Sequence, residues 1–210
     1  MPLGTLAWIR RYPVKSLAGE LLQSAEIWDG GVRGDRTRQL IVESGHARVG
    51  RAYRGMEHEG LHLTGDTGVA VALARGRGVG IRVENGERFY FSGAISLIFD
   101  RWLDEVSAHV GYAVEPERFR PNFFAQAAED FRFGESALVG ASLDVGDVRL
   151  LVTKAISRCV TITYHPSGAA PDPRILRYIA RERDAKMGVY CDVLRAGTAR
   201  SGDSVRLVER

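Results

Sequence analysis

The chain contains few lysines and no long apolar run. Of its 29 basic residues, only Lys15, Lys154 and Lys186 are lysines, so arginine serves at almost every position where a cation is used. A position that keeps lysine is therefore a candidate for a compact, rotatable ammonium rather than a planar guanidinium. No segment approaches the roughly 20 consecutive apolar residues that a membrane-spanning helix needs. The sequence thus predicts a protein without membrane segments.

A secretory signal and a strong charge imbalance are also missing. The first residues lack a basic region followed by an apolar core, so we expect a cytoplasmic protein. Its two cysteines, Cys159 and Cys191, are then expected to be free thiols, because the cytoplasm keeps thiols reduced. The formal net charge is only +3 at pH 7, which predicts neither nucleic acid nor a membrane surface as a partner. We expect a monomer.

The first half of the chain has the pattern of short strands between glycine-rich turns. Residues 69–74 alternate small and larger apolar side chains and are predicted as one strand. Residues 79–83 and 88–91 are predicted as a hairpin, because Asn85-Gly86 between them is a strong two-residue turn signal. Many short strands with such turns favour a β-barrel or a sandwich.

Helical spacing appears only after this region. Apolar residues recur with the helical period over residues 94–110, and Gly111 follows as a stop signal. Residues 173–183 have a similar apolar stripe, and Pro173 suits a first helical turn. We therefore predict a mainly β chain with a few short helices, divided into a domain at residues 1–91 and a second at 92–210.

The sequence from His58 to His62 matches a zinc-protease motif. His58, Glu59 and His62 match H-E-x-x-H, which needs both imidazoles on one helix face and the glutamate as a general base. Gly60 interrupts the motif and disfavours a helix. We interpret the segment as a surface hairpin with ordinary histidines, and a zinc hydrolase as a minor alternative.

Cys159 is the strongest single candidate for a functional residue. It follows an apolar, β-branched run and comes directly after Ser157 and Arg158. A cation beside a thiol favours the thiolate, which binds soft metals and attacks electrophiles. The alternative is a small buried hydrophobic side chain, as most free cysteines are. Cys191 lies in a strand-like run, and we interpret it as core.

Four separate stretches offer groups that bind anions. Each combines cations with hydroxyls or an amide at a strand end or in a turn: residues 12–16, 30–36, 118–122 and 157–159. In the second of these, Arg33 and Arg36 lie on a glycine-rich turn. A cofactor with a pyrophosphate needs such cations and small polar groups, and a thiolate among them suits a soft metal.

Five short motifs in this order together resemble the MOSC family, named for the C-terminal domain of molybdenum cofactor sulfurase. They are YPVKS at 12–16, GVRGDR at 31–36, RFRPN at 118–122, SRC at 157–159 before TITYHP, and GVY at 188–190. The chain is most similar to members with an N-terminal β-barrel domain, such as the mitochondrial amidoxime reducing component and its bacterial relatives. The resemblance implies an N-terminal barrel-like domain packed on a MOSC β-barrel.

The resemblance also implies a molybdenum cofactor, molybdopterin with its metal. By position in the motifs, Cys159 would be the molybdenum ligand and the catalytic residue. Lys15 and Ser16 would contact the phosphate region of the pterin. The other implied cofactor-binding residues are Arg36, Arg120, Asn122, Ser157, Arg158 and Tyr190. Ser92, before the first predicted helix, is a further candidate.

The function implied by the resemblance is that of a molybdenum-dependent oxidoreductase. It would reduce N-hydroxylated or N-oxide small molecules by oxygen-atom transfer. No flavin, haem or iron–sulfur motif is evident, so electrons would come from a partner protein. A non-catalytic cofactor carrier or a sulfur-transfer module with a persulfide on Cys159 remains the alternative. The family often has an aromatic residue after GDR, whereas Thr37-Arg38-Gln39 follows here, so the substrate stays open.

Overall fold

The structure is a computed structural model, and it describes residues 1–53, 60–89 and 92–209. The described helices are α1 (Thr67–Gly76), α2 (Asp100–Val110), α3 (Glu135–Leu138) and α4 (Pro173–Glu182). Short 3-10 helices cover Leu61–Leu63, Pro116–Phe119 and Val160–Thr163. The described strands are β1 (Pro2–Arg11), β2 (Glu20–Leu22), β3 (Ser24–Trp28), β4 (Gly31–Val32), β5 (Arg38–Ser44), β6 (Gly80–Asn85), β7 (Ile95–Phe99), β8 (Phe123–Ala127), β9 (Ser142–Val145), β10 (Val148–Ser157), β11 (Lys186–Arg195), β12 (Gly197–Arg200) and β13 (Ser204–Glu209).

Seven of these strands form a closed β-barrel. They follow the order β13-β9-β10-β11-β7-β8-β1, and pairing of β1 with β13 closes the ring, while β2 extends β1 outside it. Neighbours are antiparallel except β7 and β8, which run parallel because α2 connects them. The predicted mainly β fold with a barrel and a few short helices is confirmed.

Alternating apolar side chains fill the barrel. On β10, Val148, Leu150 and Val152 are fully buried, and the residues between them are more exposed. This alternation places one face of the strand inward, as the pleat of a strand requires. All five residues of β7 are buried, because α2 packs over the outer face of the strand through residues such as Trp102 and Val106.

The helix predicted over residues 94–110 is correct only in its second part. Residues 95–99 form β7, and α2 starts at Asp100. The run is apolar except for Ser96 and suits a strand that is buried on both faces, so tertiary packing decides against the helix here. The left-handed Gly111 ends α2 as predicted, and α4 confirms the helix predicted from residue 173. None of the described helices is long and apolar enough to span a membrane.

The strand predicted at residues 69–74 is wrong, because this segment lies within α1. The Asp66 side chain accepts hydrogen bonds from the backbone N–H groups of Gly68 and Val69, at 2.6 and 3.2 Å. This satisfies donors that the first helical turn leaves without partners. Ala70 and Ala74, four residues apart, are the buried residues of α1, which is helical rather than alternating spacing.

The hairpin predicted through Asn85-Gly86 is also wrong in its pairing. β6 pairs with β5, antiparallel from Arg38 opposite Asn85. After β6 the chain continues along the same neighbour: the N–H of Gly86 donates to Thr37 O and the N–H of Phe89 to Arg36 O, both at 2.9 Å. Residues 90 and 91 lie outside the described residues.

A second, smaller core lies beside the barrel. β5, β6 and α1 enclose it, together with the loop after β1, and Leu17, Leu40 and Tyr53 are among its buried residues. The predicted boundary at residue 91 falls between this unit and β7. β1, however, pairs with β8 and β13, so the first strand is shared with the barrel of the later residues. The division at residues 1–91 and 92–210 stays a prediction.

We predict that Asp66→Ala destabilises the chain by about 1 kcal/mol, because α1 loses its N-terminal cap. Asp66→Asn should cost much less, since the asparagine oxygen can accept the same two backbone hydrogen bonds. The free energy of unfolding in urea, compared between both variants and the wild type, measures the difference. Equal losses for alanine and asparagine would contradict the capping role.

Candidate functional site

One cavity of about 1060 Å³ brings the sequence-predicted site residues together. Its walls come from the loop after β1, the turn before β5, the segment between α2 and β8, the end of β10, and β11. All nine residues implied by the resemblance line it, and Ser92 does so as well: Lys15, Ser16, Arg36, Arg120, Asn122, Ser157, Arg158, Cys159 and Tyr190. The roles of these residues stay predictions, but their proximity is a property of the fold.

Cys159 presents an exposed thiol to the cavity. It lies between the end of β10 and the 3-10 helix Val160–Thr163. Buried Ile162 and Thr163 anchor that helix to the protein interior. The sulfur contacts the Thr161 hydroxyl at 3.4 Å. Cys191, by contrast, is completely buried in β11, and burial raises the pKa of its thiol, which agrees with the core role predicted for it.

Arg158 braces two segments of the cavity wall. Its Nε donates to Met187 O at 2.8 Å and its Nη1 to Phe119 O at 2.9 Å. Its Nη2 is buried and has no hydrogen-bond partner among the described residues. Burial lowers the pKa of Arg158 to about 10, so it remains a cation at neutral pH. A buried charge with an unused donor is costly unless an anion pairs with it.

A second cationic cluster forms around the ring of Tyr12. The guanidinium carbons of Arg120 and Arg36 lie 4.4 and 4.9 Å from the ring centroid. Burial lowers the pKa of Arg120 to about 10, and Nη2 of this residue donates to Leu17 O at 2.5 Å. Burial also opposes the charge of Arg36, but the Asp35 carboxylate outweighs it and raises the pKa of Arg36. The ring thus holds two cations close together.

Asp35 and Asn122 form the frame that orients this cluster. Asp35 is buried, accepts the Tyr12 N–H at 2.7 Å and forms an ion pair with Arg36. The Asn122 side-chain oxygen accepts from the Ser96 hydroxyl at 3.0 Å and the Ser96 N–H at 3.2 Å. Its amide nitrogen donates to Arg10 O at 3.2 Å. Asn122 is only 1% exposed, so its hydrogen bonds serve the frame of the cavity.

The remaining predicted residues line other parts of the wall. Ser16 adopts a left-handed backbone conformation with φ of 76°, which turns the chain back beneath the cavity after β1. Tyr190 pairs with Lys154 across β10 and β11, and the Lys154 ammonium lies 6.0 Å from the Tyr190 ring centroid. Gly93 lets the chain pass the Tyr190 ring, because a β-carbon there would lie 2.6 Å from Tyr190 Cβ.

Sequence reasoning missed several residues of this cavity. Tyr12 lies within the YPVKS motif, but only its position between two arginines shows what the ring does. Glu115 and His165 also line the cavity, and no motif signals them as a pair, whereas Arg118 belongs to the predicted stretch 118–122. Arg33 lies on the predicted cationic turn but instead pairs with Glu26 at 2.8 Å and does not line the cavity.

The zinc motif receives no support from the described residues. His58 and Glu59 lie outside them, and His62 belongs to the 3-10 helix Leu61–Leu63. The His62 ring stacks on Tyr164 with centroids 5.7 Å apart, and its Nε2 contacts His165 O at 2.8 Å. Within the described part of the chain, no three His, Cys, Asp or Glu residues cluster as a metal site.

The cavity fits an anionic cofactor that carries a soft metal. Seven arginines and lysines line it against two glutamates. Glu115 and Glu117 are paired with Arg118 and Arg10, so they do not neutralise Arg120 or Arg158. Cationic forks suit phosphate oxygens, and a single accessible thiol suits a metal that receives its other ligands from the cofactor.

These features define a β-barrel protein with an anion-binding cavity and one thiol in its wall. A family model described as MOSC domain matches residues 81–206, which is more than half of the 210 residues. The chain belongs to the MOSC domain family. MOSC domains are associated with the molybdenum cofactor, and the family includes enzymes that bind it. The narrower similarity to amidoxime-reducing members stays a prediction.

Solved structures agree with the fold. The YUAD protein from Bacillus subtilis gives a TM-score of 0.60 at 15% identity, covering 99% of this chain and 96% of that one. The crystal structure of a hypothetical protein gives 0.51 at 12% identity, covering 100% of this chain and 69% of the other. No curated protein sequence matches the chain.

We predict that Gly188→Ala disturbs the wall behind Arg158. Gly188 has a φ of 78°, and an added β-carbon would lie 2.7 Å from Ile98 Cγ1 and 3.0 Å from Leu97 O. The left-handed conformation alone costs about 1 kcal/mol for alanine, and the overpacking should add about 2 kcal/mol. Urea unfolding measures the loss.

Gly202→Ala is the matched control for this change. Gly202 also has a left-handed φ, 95°, but an added β-carbon there meets nothing within 4 Å. It should therefore show the conformational cost without the clash. Equal destabilisation by the two substitutions would mean that the wall behind Arg158 relaxes freely.

Proposed function

We propose that the chain is a molybdenum-cofactor-binding oxidoreductase with Cys159 as the protein ligand of the metal. Its substrates would be N-hydroxylated or N-oxide small molecules, which it would reduce by oxygen-atom transfer. The observation that carries the proposal is the exposed Cys159 thiol in one cavity with two half-buried arginines, Arg120 and Arg158. Membership of the MOSC family supports the association with this cofactor.

Different residues of the cavity would bind different parts of the cofactor. The cations around Tyr12, together with Lys15 and Ser16, would hold the phosphate end of the pterin. The Arg158 cation would stabilise the anionic cofactor nearer the metal through its charge. Arg158 is braced by backbone carbonyls of two segments, so the charge is fixed in position before the ligand arrives. When bound, the molybdenum centre supplies the two-electron oxygen-atom transfer.

The reaction also requires a source of electrons. The sequence contains no flavin, haem or iron–sulfur motif, so we propose a separate electron-donor protein as partner. The substrate would be a small molecule, which fits a cavity of about 1060 Å³ that the cofactor shares. A cytoplasmic location and a monomeric state belong to the same proposal.

A cofactor carrier or sulfur-transfer module is the second candidate. The exposure of the Cys159 thiol favours it, because a persulfide must reach the acceptor to which it passes sulfur. In that case the chain would bind the cofactor or the sulfur without catalysing turnover. Reduction of benzamidoxime by the molybdenum-loaded protein with an artificial electron donor separates the two functions.

We predict that Cys159→Ser abolishes molybdenum retention while the fold persists. The protein is expressed in a host that makes the cofactor, and the molybdenum and pterin contents of the purified samples are measured. The wild type should hold both in near-stoichiometric amounts, and the variant should lose metal because serine is a poorer ligand for a soft metal.

Cys191→Ala is the control, because it removes the other thiol without touching the cavity. This variant should keep its molybdenum. Wild-type protein without molybdenum or pterin would overturn the proposed enzyme, and stoichiometric zinc instead would direct attention to His62.

We predict that Arg120→Gln weakens binding of inorganic pyrophosphate about tenfold or more, since a charged hydrogen bond contributes about 1.5 to 3 kcal/mol. Arg77→Gln removes an equal charge from an exposed position outside the cavity. Isothermal titration of the cofactor-free protein at a fixed salt concentration compares the two variants. Equal weakening by both would show a general charge effect instead of a phosphate site around Tyr12.

A further inference from the structure

The hydroxyl of Thr161 contacts the sulfur of Cys159 in the wall of the cavity. Its Oγ1 lies 3.4 Å from Cys159 Sγ, which is within hydrogen-bond reach of a sulfur atom. Among the hydrogen bonds of residues 1–53, 60–89 and 92–209, this is the only one that either side chain makes. Both residues line the cavity. The contact therefore lies at the atom that the proposed function makes a metal ligand.

The state of the sulfur decides which atom donates in this hydrogen bond. A thiol and a hydroxyl can each donate to the other, whereas a thiolate has no proton and can only accept. The thiolate is the form of cysteine that binds metals. With Cys159 as a metal ligand, the Thr161 hydroxyl must therefore be the donor.

The 3-10 helix that follows Cys159 holds the hydroxyl in this position. At its start, the Ile162 N–H donates to Cys159 O at 3.2 Å. At its end, the Thr163 hydroxyl donates to Val160 O at 2.7 Å. Arg118 Nη1 donates to Thr163 O at 3.0 Å and connects the helix to the segment before β8. The position of the hydroxyl relative to the sulfur is thus set by the fold, before any cofactor binds.

The neighbouring cation does not make this contact. Nε and Nη1 of Arg158 donate to the carbonyls of Met187 and Phe119, and its Nη2 has no hydrogen-bond partner in the described part of the chain. Arg158 and Cys159 interact through charge. The directional contact to the sulfur comes from the Thr161 hydroxyl.

We propose that Thr161 is the positioning residue of the metal ligand: its hydroxyl orients Cys159 Sγ and withdraws electron density from it. The inference rests on the proposed function. Groups that bond to a metal's ligands orient those ligands and tune the metal, and hydrogen bonds to ligand sulfurs set reduction potentials. A thiolate that donates less density favours the reduced metal. The hydroxyl should therefore raise the reduction potential of the molybdenum.

The test is a redox titration of the cofactor-loaded protein, in which electron paramagnetic resonance follows Mo(V). Thr161→Val removes the hydroxyl and keeps the β-branched shape. The equilibrium constant for reduction of Mo(VI) to Mo(V) should fall about tenfold, which is a shift of about 59 mV to lower potential for one electron. Thr161→Ser keeps a hydroxyl and should retain the potential of the wild type.

Thr163→Val is the matched control on the same helix. It removes the hydrogen bond to Val160 O but leaves the Thr161 hydroxyl in place, and Thr163 does not line the cavity. This variant should lower the free energy of unfolding in urea and leave the potential unchanged. Equal shifts of the potential in Thr163→Val and Thr161→Val would assign the effect to a loosened helix and overturn the inference.

Molybdenum and pterin contents and benzamidoxime reduction, measured on the same samples, separate the possible failures. An unchanged potential in Thr161→Val at equal molybdenum content would overturn the inference and leave the proposed function intact. Loss of molybdenum from Thr161→Val with retention in Thr161→Ser would support the positioning role, whereas loss from both would overturn it. Loaded wild-type protein that reduces no benzamidoxime would overturn the reductase, while a lowered potential in Thr161→Val would still support the role of the hydroxyl. Wild-type protein without molybdenum would overturn both.

Discussion

Two guanidiniums share the ring of Tyr12, and this stacking joins the parts of the molecule that enclose the cavity. Tyr12 follows β1 of the barrel, Arg36 lies on the turn before β5 of the smaller unit, and Arg120 lies between α2 and β8. Asp35 offsets one of the two charges, and Asn122 fixes the backbone beneath them. The second charge has no carboxylate partner among the described hydrogen bonds and ion pairs. It is the feature that makes the cavity suited to an anion.

Arg158 is a second cation of the cavity whose hydrogen-bonding groups are not all satisfied. Two nitrogens of Arg158 donate hydrogen bonds to backbone carbonyls. The third, Nη2, is buried and has no hydrogen-bond partner among the described residues. A protein selected only for stability would gain by replacing such a side chain with an apolar one. Two hydrogen bonds hold the Arg158 guanidinium in place before any ligand arrives, so in the proposed function little ordering of this side chain would accompany binding of an anion.

The local sequence was a reliable guide where one factor dominated. Alternation in β10 reflects burial of one face, and Pro173 after Asp172 marks the start of α4. Prediction of secondary structure from the local sequence failed where two factors competed. Residues 69–74 alternate like a strand, yet Asp66 caps a helix there, and the apolar residues before Asp100 form a strand because both of their faces are covered. Such covering depends on residues distant in sequence.

For the site, the sequence alone determined which residue types are available and that they occur in the MOSC order: a lone thiol after Arg158, a retained Lys15, and arginines in glycine-rich or proline-flanked turns. Only the tertiary structure decided which of them meet. It turned Arg36 into the cavity and Arg33 toward Glu26, and it brought Glu115 to His165 across 50 residues of chain. The reason is physical: a motif fixes chemistry at one point of the chain, whereas charge pairing, burial and accessible volume arise only where distant segments pack together.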